Sequence, residues 1–109
     1  MSDTKEIINA LLKFRNEREW EQFHNPKDLA LAISIESGEL LELFLWKNAE
    51  EAKVEKVREE LADIFSFAFL LADKYGFDVK EIILEKIKSN AEKYSIEKSK
   101  GTSKKYNEL

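Results

Sequence analysis

Cysteine is absent from the 109 residues, and only three glycines and one proline occur. The missing thiols exclude disulfides, thiolate nucleophiles and cysteine-bearing metal sites. So few turn formers exclude a sandwich or barrel of many short strands. Long apolar runs are missing too: the longest, Phe67 to Ala72, falls far short of the ~18 residues that a membrane span needs. The start, Met1-Ser2-Asp3-Thr4-Lys5-Glu6, has neither the basic flank nor the apolar core of a signal peptide. A reducing, cytoplasmic setting with no membrane partner is therefore expected. The length fits a single domain over residues 1–109. What the chain has in excess is charge, at 37% of residues against about 25% on average. Long helices with solvated faces would carry it.

The charge is unevenly spread. From Lys98 to Leu109 four lysines (Lys98, Lys100, Lys104 and Lys105) stand against one glutamate, a net +3, which leaves the preceding residues at −7 within an overall −4. An acidic body disfavours binding to a nucleic acid polymer, which needs a basic face to displace counterions. The basic tail, from about residue 95, reads either as a solvated terminus or as a contact for the phosphates of a small ligand.

Hydrophobic periodicity predicts four long helices. The first runs from about Thr4 to Glu19, with Ile7, Ile8, Leu11, Leu12 and Phe14 or Arg15 along one side and Asp3 as its cap. Asn25-Pro26 opens the second, with Asn as cap and Pro at the first helical position. This helix should reach Trp46 or Lys47, and Asn48 suits its end. The third covers about Glu51 to Tyr75, stopped by Gly76 in a left-handed conformation. The fourth, about Val79 to Tyr94, is capped by Asp78. Four long helices on short connections predict an all-α four-helix bundle.

Four carboxylates fall where leucines belong. On the second helix, Glu36 lies three residues after Ile33 and four before Leu40, inside the apolar stripe, with Glu39 one turn on. On the third, Glu60 lies three after Val57 and four before Ile64, and Asp63 is its i+3 neighbour. Each helix thus presents an acid pair side by side, expected to point at the core. Ionised carboxylates gathered there would each cost several kcal/mol or take up protons. A hard divalent cation resolves this, and all-oxygen ligation favours Mg²⁺, with Mn²⁺ as substitute. A di-iron site would need Glu-x-x-His on two helices; Glu21-Gln22-Phe23-His24 holds the only histidine. Glu42 and Glu59 rotate off the face and receive no ligand role. Gly38 costs about 1 kcal/mol inside a helix, so a close approach by a ligand or a neighbouring helix is expected there.

Glu36-Ser37-Gly38-Glu39-Leu40 followed by Glu59-Glu60-Leu61-Ala62-Asp63 resembles the ExxE…ExxD pattern of the MazG-like nucleoside triphosphate pyrophosphohydrolases. Glu17 to His24, Glu42-Leu43-Phe44 with Trp46-Lys47, and Lys98 to Tyr106 resemble the dCTP pyrophosphatase branch of that family. The resemblance covers nearly the whole chain. It implies a homo-oligomeric, Mg²⁺-dependent enzyme that converts a (deoxy)nucleoside triphosphate to the monophosphate and pyrophosphate. It places Glu36, Glu39, Glu60 and Asp63 on the metal, and Trp20, His24 and Trp46 on the nucleotide. Phe67 stands where similar mammalian enzymes carry a substrate-contacting Tyr, and Leu11 where they carry a His. Asn90 matches a residue that pairs with base or sugar in similar enzymes. Lys86 and Lys93 read as phosphate contacts or as ordinary surface lysines, and the tail offers Lys104 and Tyr106. A competing reading is a non-catalytic helical interaction or nucleotide-sensing module whose acids are structural.

Ile64 to Ala72 contains one polar residue, Ser66, in nine. A surface helix needs a polar face, and this stretch has none. A second copy of the chain should cover it, in a dimer or, as the resemblance implies, a tetramer built as a dimer of dimers.

Overall fold

The computed structural model describes residues 2–109. Five α-helices are present: α1 (Asp3–Glu17), α2 (Pro26–Glu42), α3 (Val54–Lys74), α4 (Val79–Lys93) and the short α5 (Ile96–Ser99). Single 3₁₀ turns form at Glu21–Phe23, Ala49–Glu51 and Tyr106–Glu108, and no strand occurs among the described residues. The four long helices read from periodicity are all there. One compact unit holds α1 to α3 and ends at Phe77; the second spans Asp78–Leu109. In the first, α2 packs mainly on α3, and α1 also packs on α3.

The caps follow local chemistry. The Asn25 side chain accepts from the Asp28 N–H at 2.9 Å with Pro26 in the first turn, as the sequence predicts. Asp78 accepts from the Glu81 N–H at 2.9 Å to start α4. The α1 cap is Ser2, not Asp3: the Ser2 hydroxyl takes the Lys5 N–H, and Asp3 sits in the first turn. Gly76, at φ 70°, ends α3 with the Gly76 N–H on the Asp73 carbonyl and the Phe77 N–H on that of Ala72, a Schellman pair. The same pair closes α1 without a glycine. There the left-handed residue is Glu19, at φ 54°, and the Trp20 N–H reaches back to the Arg15 carbonyl.

Helix α2 stops four residues short of the expected Trp46. From Leu43 onward the amides bond to carbonyls three residues back, and Trp46 turns left-handed at φ 61°. Asn48 accordingly does not end α2. It caps the next turn, where its side chain and that of Glu51 satisfy each other's backbone N–H.

Few apolar side chains are buried: Leu29, Leu70 and Ala72 in the first unit and Val79 in the second. Along the apolar stripes of α2 and α3, Ile33, Leu40, Val57, Ile64, Ala68 and Leu71 are half-buried, whereas Val54, Leu61 and Tyr75, expected in the α3 stripe, are exposed. Ser66 disposes of its hydroxyl by donating to the Ala62 carbonyl at 2.7 Å, a local bond that leaves α3 apolar to its neighbours. At Gly38 a Cβ would meet nothing within 4 Å. The close approach by a neighbouring helix expected there is not made within the chain.

Candidate active site

Helices α2 and α3 bring Glu36, Glu60 and Asp63 together, with one carboxylate oxygen from each lying within 4.8 Å of the others. The i,i+3 spacing on each helix does this, because residues three apart share a face. The expectation that all four acids point inward needs correcting: Glu36 and Glu60 are half-buried, whereas Glu39 and Asp63 are exposed. Glu39 stands outside the close trio yet within reach of Glu36. Burial first, then the close approach of the Glu60 and Glu39 carboxyls, then the charges of Glu39 and Asp63 push the Glu36 carboxyl up to about 7. Oε2 of Glu36 and Oε2 of Glu60 are both buried and accept no hydrogen bond. Buried oxygens are rarely left so. Unpartnered hard oxygens from facing helices form the donor set that Mg²⁺ or Mn²⁺ takes, so the residues fit such an ion.

Asp63 also lies on the rim of a cavity of ≈ 390 Å³, lined by Leu11, Phe14, Arg15, Trp20, His24, Ser66, Phe67 and Leu70. The size is within the range of small-ligand pockets. The Schellman turn at Glu19 swings Trp20 back beside α1, where its ring meets Phe14 edge-on with centroids 5.7 Å apart. His24 meets Phe67 edge-on at 6.4 Å. Burial, then the cations of Arg15 and Lys74, hold His24 below the usual histidine range, so its ring is neutral at pH 7. Its Nδ1 is buried without a hydrogen-bond partner.

Residues 31–109 match the MazG-like family. The chain belongs to that family. It is accordingly a nucleoside triphosphate pyrophosphohydrolase of the MazG-like type, and the matched residues include all four acids. The bovine protein named dCTP pyrophosphatase 1 is 38% identical, over 97% of this chain and 68% of its own length. The human protein of that name is 36% identical over the same shares. Among solved structures, a pyrophosphatase from Archaeoglobus fulgidus superposes with a TM-score of 0.81 at 33% identity, covering 87% of this chain and 94% of its own. No helix among the described residues is long and apolar enough to cross a membrane.

Of the residues expected to bind substrate in this MazG-like chain, Trp20, His24 and Phe67 share the cavity. Trp46 does not. It is 93% exposed, which also excludes its being core filler. Lys86, Asn90, Lys93, Lys104 and Tyr106 all belong to the second unit. There residues 100–108 are exposed yet make local contacts. Ser95 caps α5, and the Tyr106 ring meets Tyr94 edge-on at 6.1 Å with the Lys93 ammonium 5.1 Å from its centroid. The residue that sequence reasoning passed over is Arg15, which lies in the cavity wall and is only 7% exposed. Its signal was the one that found the acids, a charge inside an apolar stripe.

Proposed function

We propose that this MazG-like enzyme hydrolyses a pyrimidine deoxynucleoside triphosphate, dCTP or a modified relative, to the monophosphate and pyrophosphate. The observation that carries the reading is one shared residue: Asp63 belongs both to the carboxylate trio and to the aromatic cavity. A base held between Trp20, His24 and Phe67 puts its own phosphates beside the carboxylates. Stacking on such rings is worth about 1–3 kcal/mol per base. The relatives named dCTP pyrophosphatase support the choice of base.

Glu36, Glu60 and Asp63, with Glu39 beside them, would hold the divalent ion. Such an ion supplies neutralisation of the triphosphate charge and a water that ionises near neutral pH. The chain's own residues do the rest. Trp20 and Phe67 present flat apolar walls that exclude water from the base. His24, neutral at pH 7, offers its ring nitrogen without placing a positive charge against the base. Glu39, exposed and outside the close trio, is the carboxylate left to take a proton from the attacking water as the bond between the α and β phosphoryl groups breaks.

The test is a panel of common and modified nucleoside triphosphates with Mg²⁺ and detection of pyrophosphate. Release from dCTP or a modified pyrimidine triphosphate is the expected result. Binding without release would make the chain a nucleotide sensor, and neither binding nor release would make its acids structural. Either outcome overturns the proposal.

A further inference from the structure

Among the described residues Arg15 is the one buried charged side chain, at 7% exposed, and it opens onto the cavity that holds Trp20, His24 and Phe67. A guanidinium is planar, always charged, and carries five N–H donors in a fixed fork. Burying one with its donors unused is costly. Here the protein uses little of it. Nε donates to the Asn16 side chain at 3.1 Å. The nearest carboxylate oxygen, on Glu21, stands 3.7 Å from Nη2, beyond hydrogen-bond distance. Glu21 is itself exposed and divides its charge with Lys74, 3.6 Å away. Asn16 and Glu21 together leave Nη donors for an acceptor inside the cavity.

We propose that Arg15 is a specificity-determining residue that selects cytosine over uracil and thymine by donating its fork to the base's adjacent O2 and N3 atoms. The inference rests on the nucleotide reading above and adds the residue that reads the base. Cytosine has two neighbouring acceptors on that edge, O2 and N3. Uracil and thymine carry a hydrogen on N3, so the fork would meet a donor where it needs an acceptor. The geometry is the one by which arginine reads two adjacent acceptors on guanine in DNA. Ser66 and Phe67, which share the cavity wall, do not make this distinction. Ser66 spends its hydroxyl on the Ala62 carbonyl, and Phe67 has none.

The experiment uses the full chain with Mg²⁺ and compares kcat/KM for dCTP, dUTP and 3-deaza-dCTP, in which N3 is replaced by C–H. Wild type should prefer dCTP over each of the other two by on the order of ten- to a hundredfold. Arg15→Lys keeps the charge and loses the fork, so both preferences should fall below about threefold, through slower dCTP turnover with dUTP little changed. A purely structural arginine would lower the melting temperature and slow all three substrates alike; that outcome overturns the proposal. So does a wild-type enzyme that turns over 3-deaza-dCTP as well as dCTP, an arm that needs no variant to fold. Pyrophosphate released from no nucleotide at all would instead overturn the hydrolytic reading on which the inference rests.

Discussion

Glu36 on α2 and Glu60 on α3 face each other, each with a buried carboxylate oxygen that accepts no hydrogen bond. Without a cation the pair is poorly placed, and Glu36 responds by holding its proton up to about pH 7, against an ordinary value of 4.5. A carboxyl whose folded pKa is raised contributes stability fully present below its unfolded pKa, which is lost as pH rises through the folded one. The metal-free protein should therefore melt at progressively lower temperature between about pH 4.5 and 7. Glu36→Gln should flatten that decline and be at least as stable as wild type at pH 8. It should also lose activity by on the order of 10²-fold or more and lose the Mg²⁺-induced rise in melting temperature. Thermal melts with and without Mg²⁺ across this range check both halves, and wild-type turnover in the variant would dismiss the carboxylate site.

How far the sequence led can be seen at these same residues. Glu36 and Glu60 were legible because helical periodicity says where a leucine should be, and an acid there stands out. The trio's closeness and the exposure of Glu39 depend on how α2 faces α3, which no single-helix pattern contains. The end of α2 was misplaced because Leu43 to Leu45 keep an apolar pattern while their amides shift to bonds three residues back. The turn at Glu19 was invisible for a different reason. Glutamate rarely adopts a left-handed conformation, and here the amides of Glu19 and Trp20 hold it there by bonding to the Asn16 and Arg15 carbonyls.

Trp46 combines an unfavourable backbone with near-complete exposure, at φ 61° and 93%. A left-handed conformation costs a residue with a Cβ about 1–2 kcal/mol and glycine nothing comparable. Trp46→Gly should therefore leave the melting temperature unchanged or raise it. If the ring contacts nucleotide, as the family resemblance implies, the same variant should raise KM several-fold or more. Opposite movement of the two readouts identifies a binding residue; an unchanged KM would mean that the ring does not touch substrate.

Gly38 interrupts α2 between two of the acids, with nothing within 4 Å of where a Cβ would go. Gly38→Ala should then stabilise the protein by about 1 kcal/mol through helix propensity alone, with kcat/KM preserved. Chemical denaturation and the pyrophosphate assay check it. A drop in activity despite the gain in stability would mean that bound nucleotide approaches the backbone there.

The tail carries the positive charge that the acidic body lacks, and Tyr106 anchors it through Tyr94 and Lys93. Removing residues 99–109 takes away Lys100, Lys104, Lys105 and that anchor. KM for triphosphate should rise while Mg²⁺ affinity, set by the carboxylates of α2 and α3, stays nearly constant. Wild-type kinetics in the truncated enzyme would reduce the tail to a terminus without a role in binding.

Along α3, Val54, Val57, Leu61, Ala62 and Phe65 recur at helical spacing with Arg58 and line an apolar groove of ≈ 430 Å³. Val54 is 78% exposed and Phe65 59%. On α2 and the turns that follow, Leu31, Ile35, Leu41 and Leu45 are exposed as well. Against these, the buried apolar side chains of the same unit are Leu29, Leu70 and Ala72. A soluble monomer rarely leaves contiguous apolar surface uncovered, and each side chain so covered contributes about 1.5–3 kcal/mol. Self-association is the economical way to enclose faces carried by every copy, and closed symmetry then gives a two-fold dimer or a dimer of dimers. We expect the tetramer, since apolar residues on both α2 and α3 call for more than one contact surface. Sedimentation at low micromolar concentration should find four chains, and Phe65→Glu should reduce that number while leaving helix content intact. A well-folded monomer of wild-type sequence would show that these side chains tolerate water, and the assembly would have to be abandoned.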